Sequence, residues 1–139
     1  MDSKHIRVLV LEDEAAHAEA VRRALELCDR KFTSRLLEME GYHVLQTVDG
    51  GDGLILMREN GIDCVLLTLK LPQRDGWEVL EQVMSQPDLS AIPVVVFTAL
   101  AEASHRERAL SMGAAEYLIK PLGAADLKEA VARVLNRKR

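Results

Sequence analysis

Five short, near-continuous apolar runs recur along the chain with helical patterns between them: "IRVLVL" (6–11), "YHVLQTV" (42–48), "CVLLTL" (64–69), "PVVVF" (93–97) and "EYLIK" (116–120). Such runs suit strands that are covered on both faces, meaning a parallel sheet with crossover helices rather than a half-solvated antiparallel one. Crossovers of this kind are right-handed. Five βα units connected in this way predict a three-layer, doubly wound α/β fold. The carboxyl ends of the strands then converge on one crevice, where chemistry is usually placed.

The segments between the runs carry helix signals of unequal strength. Asp75 and Gly76 precede "WEVLEQVM" and either can cap it. "SHRERALSMGA" ends at Gly113, a natural residue for the left-handed position after a helix. "AADLKEAVARVL" places Leu127, Val131, Val134 and Leu135 on one stripe. The helix expected over about 52–60 is weaker, because Gly51 and Gly53 lie at its start and glycine inside a helix costs about 1 kcal/mol relative to alanine. The first helical segment is long. From Ala15 to Met39 there is no Pro or Gly, and Val21, Leu25, Cys28, Phe32, Leu36 and Met39 recur at spacings of four and three. One helix over that span would be about 37 Å long at about 1.5 Å per residue. Either it projects past the sheet or it breaks near "LCDRKF", where Asp29 can cap a second piece.

At 139 residues, 48% hydrophobic and 29% charged, the chain reads as one ordinary globular domain spanning 1–139. The net charge of −4 supplies no electrostatic case for nucleic acid or an anionic membrane. The basic "NRKR" end suits a helix C-terminus, where cations complement the dipole. No apolar stretch is long enough for a signal-peptide core or a membrane span, so a cytoplasmic protein is expected. Cys28 and Cys64 lack metal spacing and read as buried thiols, and His5, His17, His43 and His105 show no ligand pairing.

The strand ends carry a constellation. The first run leads into Glu12 and Asp13, the third ends at Thr68, the fourth at Thr98 and the fifth at Lys120, followed by Pro121. Two carboxylates, hydroxyls and an ammonium in one crevice can hold a hard divalent cation and a phosphoryl group.

With "LEDE", "LLTLKLPQRDGW", "VVVFTAL" and "GAAEYLIKP" in this order and spacing, the chain resembles, from about residue 5 to 137, the receiver domain of bacterial two-component response regulators. The resemblance implies the flavodoxin-like strand order 2-1-3-4-5, which is the order the doubly wound rule gives for this family. It implies that Glu12 and Asp13 take the place of the Mg²⁺-binding acidic pair and that the backbone carbonyl of Lys70 also touches the metal. Thr98 takes the place of the switch hydroxyl and Tyr117 that of the aromatic that rotates with it. Lys120 takes the place of the lysine that pairs with a phosphoryl oxygen, and Lys120-Pro121 that of a peptide often cis in receivers.

Two features depart from that pattern. Thr68 stands where the family carries the phosphoacceptor aspartate, and Pro72 and Gly76 hold the register. A threonine hydroxyl is not ionised near neutral pH and is a weak nucleophile without an activating base. It also removes one charged metal ligand, so Mg²⁺ binding is expected to weaken, with Glu12 and Asp13 reduced towards pairing with Lys120. Asp63 and Asp75 are the nearest substitute acceptors, and neither is well placed. The second departure is length. Asp13 to Gly41 is about twelve residues longer than a receiver needs, close to three turns at about 3.6 residues per turn, so the first helix is expected to be extended and to offer extra surface around Leu27 to Leu37.

The resulting expectation is a degenerate, stand-alone pseudo-receiver that signals by protein–protein contact without phosphorylation and is not an enzyme. Its partners would be a histidine kinase, a downstream effector or a second copy of itself, with Mg²⁺ weak if bound and no nucleic acid or membrane involved. A receiver still switched by a phosphoryl group, at Thr68 or elsewhere, is the alternative. A flavodoxin-like enzyme or cofactor binder is a lesser one, because "EDE" rather than a glycine-rich loop follows the first run and "GGDG" (50–53) lacks dinucleotide-binding context. Trp77 and Tyr117 read first as packing residues.

Overall fold

The computed structural model describes residues 6–11, 37–47, 49–69, 75–98, 103–119 and 124–138. Within them run strand β1 (Arg7–Leu11), β2 (His43–Thr47), helix α1 (Gly50–Glu59), β3 (Cys64–Leu67), α2 (Gly76–Ser85), β4 (Val94–Thr98), α3 (Ala103–Ser111), β5 (Glu116–Ile119) and α4 (Ala124–Lys138). The five strands form one sheet in the order β2-β1-β3-β4-β5, and each pair is parallel. The chain therefore has the doubly wound, flavodoxin-like α/β architecture that its apolar runs imply.

The alternation of each strand divides the core into two. Leu9, Leu11, Val65, Leu67, Val94, Val96 and Tyr117 pack with Leu54 and Met57 of α1, Val79, Leu80 and Val83 of α2, and Ala109 of α3. Val8, Val10, Cys64, Leu66, Val95 and Phe97 pack on the opposite face with Leu37 and with Leu127, Val131, Val134 and Leu135 of α4. Burial of one such aliphatic side chain contributes about 1.5–3 kcal/mol, so the two interfaces dominate the fold. Among the described residues, no helix is long and apolar enough to cross a membrane.

The helix ends follow local chemistry. Asp75 is the cap of α2, accepting from the Trp77 amide at 3.0 Å, and Gly76 is the first helical residue. After α3, Gly113 sits at φ +113°, the Gly113 amide donates to Leu110 and the Ala114 amide to Ala109, which together close a left-handed helix end.

Two expectations require correction. Helix α1 begins at Gly50, ahead of the expected start near 52, because the Asp49 carboxylate accepts from the amides of Gly51 (2.7 Å) and Asp52 (3.3 Å). Gly53 within it is a close-approach site: a Cβ there would lie 2.7 Å from Leu11 Cδ2, so the absence of a side chain lets α1 settle onto β1. The second concerns the stripe of the long first segment. Most of it, with Cys28, Asp29 and the Leu27–Leu37 surface short of Leu37, lies outside the described residues, and its continuity as one helix is not described. Its helical end at 37–39 buries Leu37 completely and leaves Met39 73% exposed. The apolar phase at this end is set by Leu37 and not by the expected Met39.

Candidate functional site

The carboxyl ends of β3, β4 and β5 meet in register. Leu67 lies opposite Val96, Val96 opposite Tyr117, and Thr98 opposite Ile119. Thr68 is the first residue past β3. Its amide donates to the Leu11 carbonyl at 2.9 Å, continuing the β1–β3 ladder one step beyond the last regular pair. Thr68 is 6% exposed and Thr98 is 3% exposed, and they are the two buried polar or charged residues among those described. Both hydroxyl-bearing residues expected at the crevice therefore lie at neighbouring strand ends within the core rather than on the surface. Cys64, at the other end of β3, is buried and forms no disulfide.

The backbone at Thr68 and Leu69 is held tightly. The Gly76 amide donates to the Leu69 carbonyl at 2.9 Å. A Cβ at Gly76 would stand 2.4 Å from the Thr68 carbonyl oxygen and 2.5 Å from Leu69 Cα, both backbone atoms. The chain thus leaves the sheet at Thr68 and returns against its own backbone at Gly76. The reason for a glycine eight residues after Thr68 is steric, and it fixes where α2 begins.

Tyr117 is 3% exposed and packs in the face that also holds α1, α2 and α3. Burial pushes its phenol above its ordinary pKa of 10.0. Glu12, Asp13, Lys70 and Lys120 lie outside the described residues, as do Pro72 and Pro121. The described residues that immediately precede them, Leu11, Leu69 and Ile119, end at this same edge of the sheet. The metal-binding and phosphoryl-pairing expectations thus fall beyond what the structure describes, while Thr98 and Tyr117 lie on the adjacent strands β4 and β5 and Thr68 directly follows β3.

The two substitute acceptors are accounted for elsewhere. Asp63 precedes β3, at the opposite end of the sheet, where its carboxylate accepts from the Arg7 amide at 2.9 Å. Asp75 is the α2 cap.

One cluster beside the site was not marked by any sequence motif. Trp77, directly after Gly76, lies with its ring centroid 6.2 Å from that of His105, the planes tilted by 32°. The guanidinium carbon of Arg108 sits 4.1 Å from the Trp77 ring centroid. Only the spacing of His105 and Arg108, one turn apart on α3, hints at it in the sequence. At the far edge, Glu116 of β5 pairs with Arg133 (3.1 Å) and Arg137 (2.6 Å) of α4. Burial alone would raise the Glu116 carboxyl, but the two guanidinium groups outweigh it and hold the carboxyl below its ordinary value of 4.5.

Comparison with known proteins adds to this geometry. The family model of the response regulator receiver domain matches residues 29–132. "Probable transcriptional regulator ycf27" of Porphyridium aerugineum is 30% identical over 131 residues, which cover 94% of this chain and 48% of that protein. Response regulator MprA of Mycobacterium sp. (strain KMS) is 33% identical over 132 residues, 95% of this chain and 51% of that protein. The chain thus spans about half the length of the curated relatives it matches. Among solved structures, a response regulator receiver domain protein (CheY-like) from Methanospirillum hungatei JF-1 superposes with a TM-score of 0.76 at 26% identity, covering 96% of this chain and 95% of that one.

Proposed function

The chain belongs to the family of response regulator receiver domains, and from that membership we propose that it is a pseudo-receiver: a signalling module that works by contact with a partner protein and does not take a phosphoryl group at its strand-three position. The observation that carries the reading is Thr68. It holds the acceptor position, it is buried at the end of β3, and its backbone is tied to Leu11 on one side and closed over by Gly76 on the other. A neutral hydroxyl there is a poor nucleophile towards a phosphohistidine or acyl phosphate.

The donor set fits Mg²⁺ poorly. A hard cation prefers carboxylate oxygens, and Thr68 offers a hydroxyl in place of the third carboxylate beside Glu12 and Asp13. Any binding would rest on those two acids and the Lys70 carbonyl. Partners of the class that receivers meet, a histidine kinase or a downstream effector, would be engaged through the helical surface.

The test is phosphorylation from a small donor. Incubated with acetyl phosphate and Mg²⁺, the native protein should show no mass increase. Thr68→Asp supplies an acceptor and a third metal ligand and should gain an acid-labile, hydroxylamine-sensitive phosphoryl group. A phosphorylated native chain overturns the proposal.

A further inference from the structure

Helix α3 is attached to the body of the protein in an unusual way. Of its nine residues, Ala109 is the one that is buried. Its C-terminal end is anchored by the left-handed turn at Gly113, which lies against Met84 of α2: a Cβ on Gly113 would be 2.6 Å from the Met84 sulfur. The first two turns have no comparable apolar anchor. Ala103, Ser104, Arg106, Glu107 and Arg108 are all exposed, and His105 is half-buried. Two side chains of these turns reach Trp77 of α2: the His105 ring at 6.2 Å and the Arg108 guanidinium at 4.1 Å from the ring centroid.

Trp77 itself is a fixed post. It stands in the first turn of α2, where the Asp75 carboxylate holds its amide and Gly76 is wedged against the backbone of Thr68 and Leu69. Val79, Leu80 and Val83 then bury the rest of that helix. One partner of the stack is therefore bound into the core, and the other is carried by a helix with almost no core of its own.

We propose that Trp77 is a latch for helix α3: the stacking of Arg108 and His105 on its ring keeps the first two turns of α3 docked, and loss of that stack opens them about the Gly113 end without loosening the sheet. Local opening of this kind is governed by the contacts that close the opened unit. Here these include a cation over an aromatic face, an interaction of modest strength when exposed. The latch joins the end of β3 to α3 through Gly76 and Trp77, a route that does not pass through Thr98 or Tyr117.

Amide hydrogen exchange on the full chain tests this. Arg108→Ala should speed exchange of the amides of residues 105–110 by about two- to fivefold, as loss of one exposed cation–π contact implies, and leave those of β3 and β4 unchanged. Trp77→Leu should have an equal or larger effect on the same amides. Adding Arg108→Ala to Trp77→Leu should produce no further acceleration, since the two residues then have no stack to lose. Unchanged protection of α3 in Arg108→Ala overturns the latch, and so does an acceleration shared equally by α3, β3 and β4. Should Trp77→Leu prove unstable, the single Arg108→Ala variant decides the matter alone, with Arg108→Lys, which keeps a cation but not the planar group, expected to fall between it and the native protein.

Discussion

Helices α2 and α3 are almost equal in length and contribute to the same side of the sheet, yet they belong to the molecule in different ways. α2 buries Gly76, Val79, Leu80 and Val83, whereas α3 buries Ala109 alone. On α2 the apolar residues recur at the helical period and fall into the core. On α3 the inward positions are the half-buried His105 and the small Ala109, the rest of "SHRER" is exposed, and Leu110 is left 38% exposed. The difference teaches that helical form and structural commitment are separate. A capped, well-placed helix is part of the core only in so far as it removes apolar area from water. α3 is closed instead by its C-terminal turn and by polar groups on Trp77.

The largest expected effect separates the two helices directly. Leu80→Ala should lower stability by about 2–5 kcal/mol, the usual range for a buried leucine that leaves a cavity. Leu110→Ala should remain within about 0.5 kcal/mol of the native protein. Urea unfolding with an unchanged m value checks both, and equal losses would erase the distinction.

The next effect probes how α2 is seated. Gly76→Ala should cost about 1–3 kcal/mol, the range for overpacking, because the added methyl meets the backbone of Thr68 and Leu69 and no flexible side chain can yield. Helix propensity would favour alanine by about 1 kcal/mol, so a stabilised variant would show that the close approach at Thr68 is relaxed. The same unfolding measurement reports on the site, since this contact is made with the backbone of Thr68 and Leu69.

The smallest effect tests whether charge-held attachments matter beside buried apolar ones. Glu116 is depressed below 4.5 in the folded protein by Arg133 and Arg137. A carboxyl lowered on folding stabilises the native state above its unfolded value, and that contribution is lost as pH falls through the folded value. Stability should therefore decline below about pH 4.5, and Glu116→Gln should flatten that part of the pH profile. Because both arginines are about half exposed, screening limits the effect at neutral pH to about 1 kcal/mol or less. An unchanged acid limb in Glu116→Gln would assign the decline to other carboxylates.

The strand-end positions of Thr68 and Thr98, and of Tyr117 on the neighbouring strand, were legible in the sequence, because the apolar runs mark where the strands lie. The acceptor and switch roles given to these residues rest on the resemblance and on the proposal above. That Thr68 is buried and that Gly76 lies close against its carbonyl could not be read, because both depend on how α2 is seated against the end of β3. Glu12, Asp13, Lys70 and Lys120 stand on sequence alone.

The sequence by itself determined the strands, their parallel arrangement and the helix end at Gly113, and it narrowed the start of α2 to Asp75 or Gly76, because these follow from apolar runs and capping chemistry that act over a few residues. Tertiary structure decided the rest. The glycine-rich start of α1 is helical because Asp49 caps it and Gly53 settles onto Leu11, a partner from another strand. Leu37 rather than Met39 enters the core because the sheet face, not the periodicity, selects which residue it meets. Trp77 finds Arg108 and His105 only when α2 and α3 lie together on one face. Local signals specify elements, whereas contacts between elements depend on packing geometry, which no short window of sequence contains.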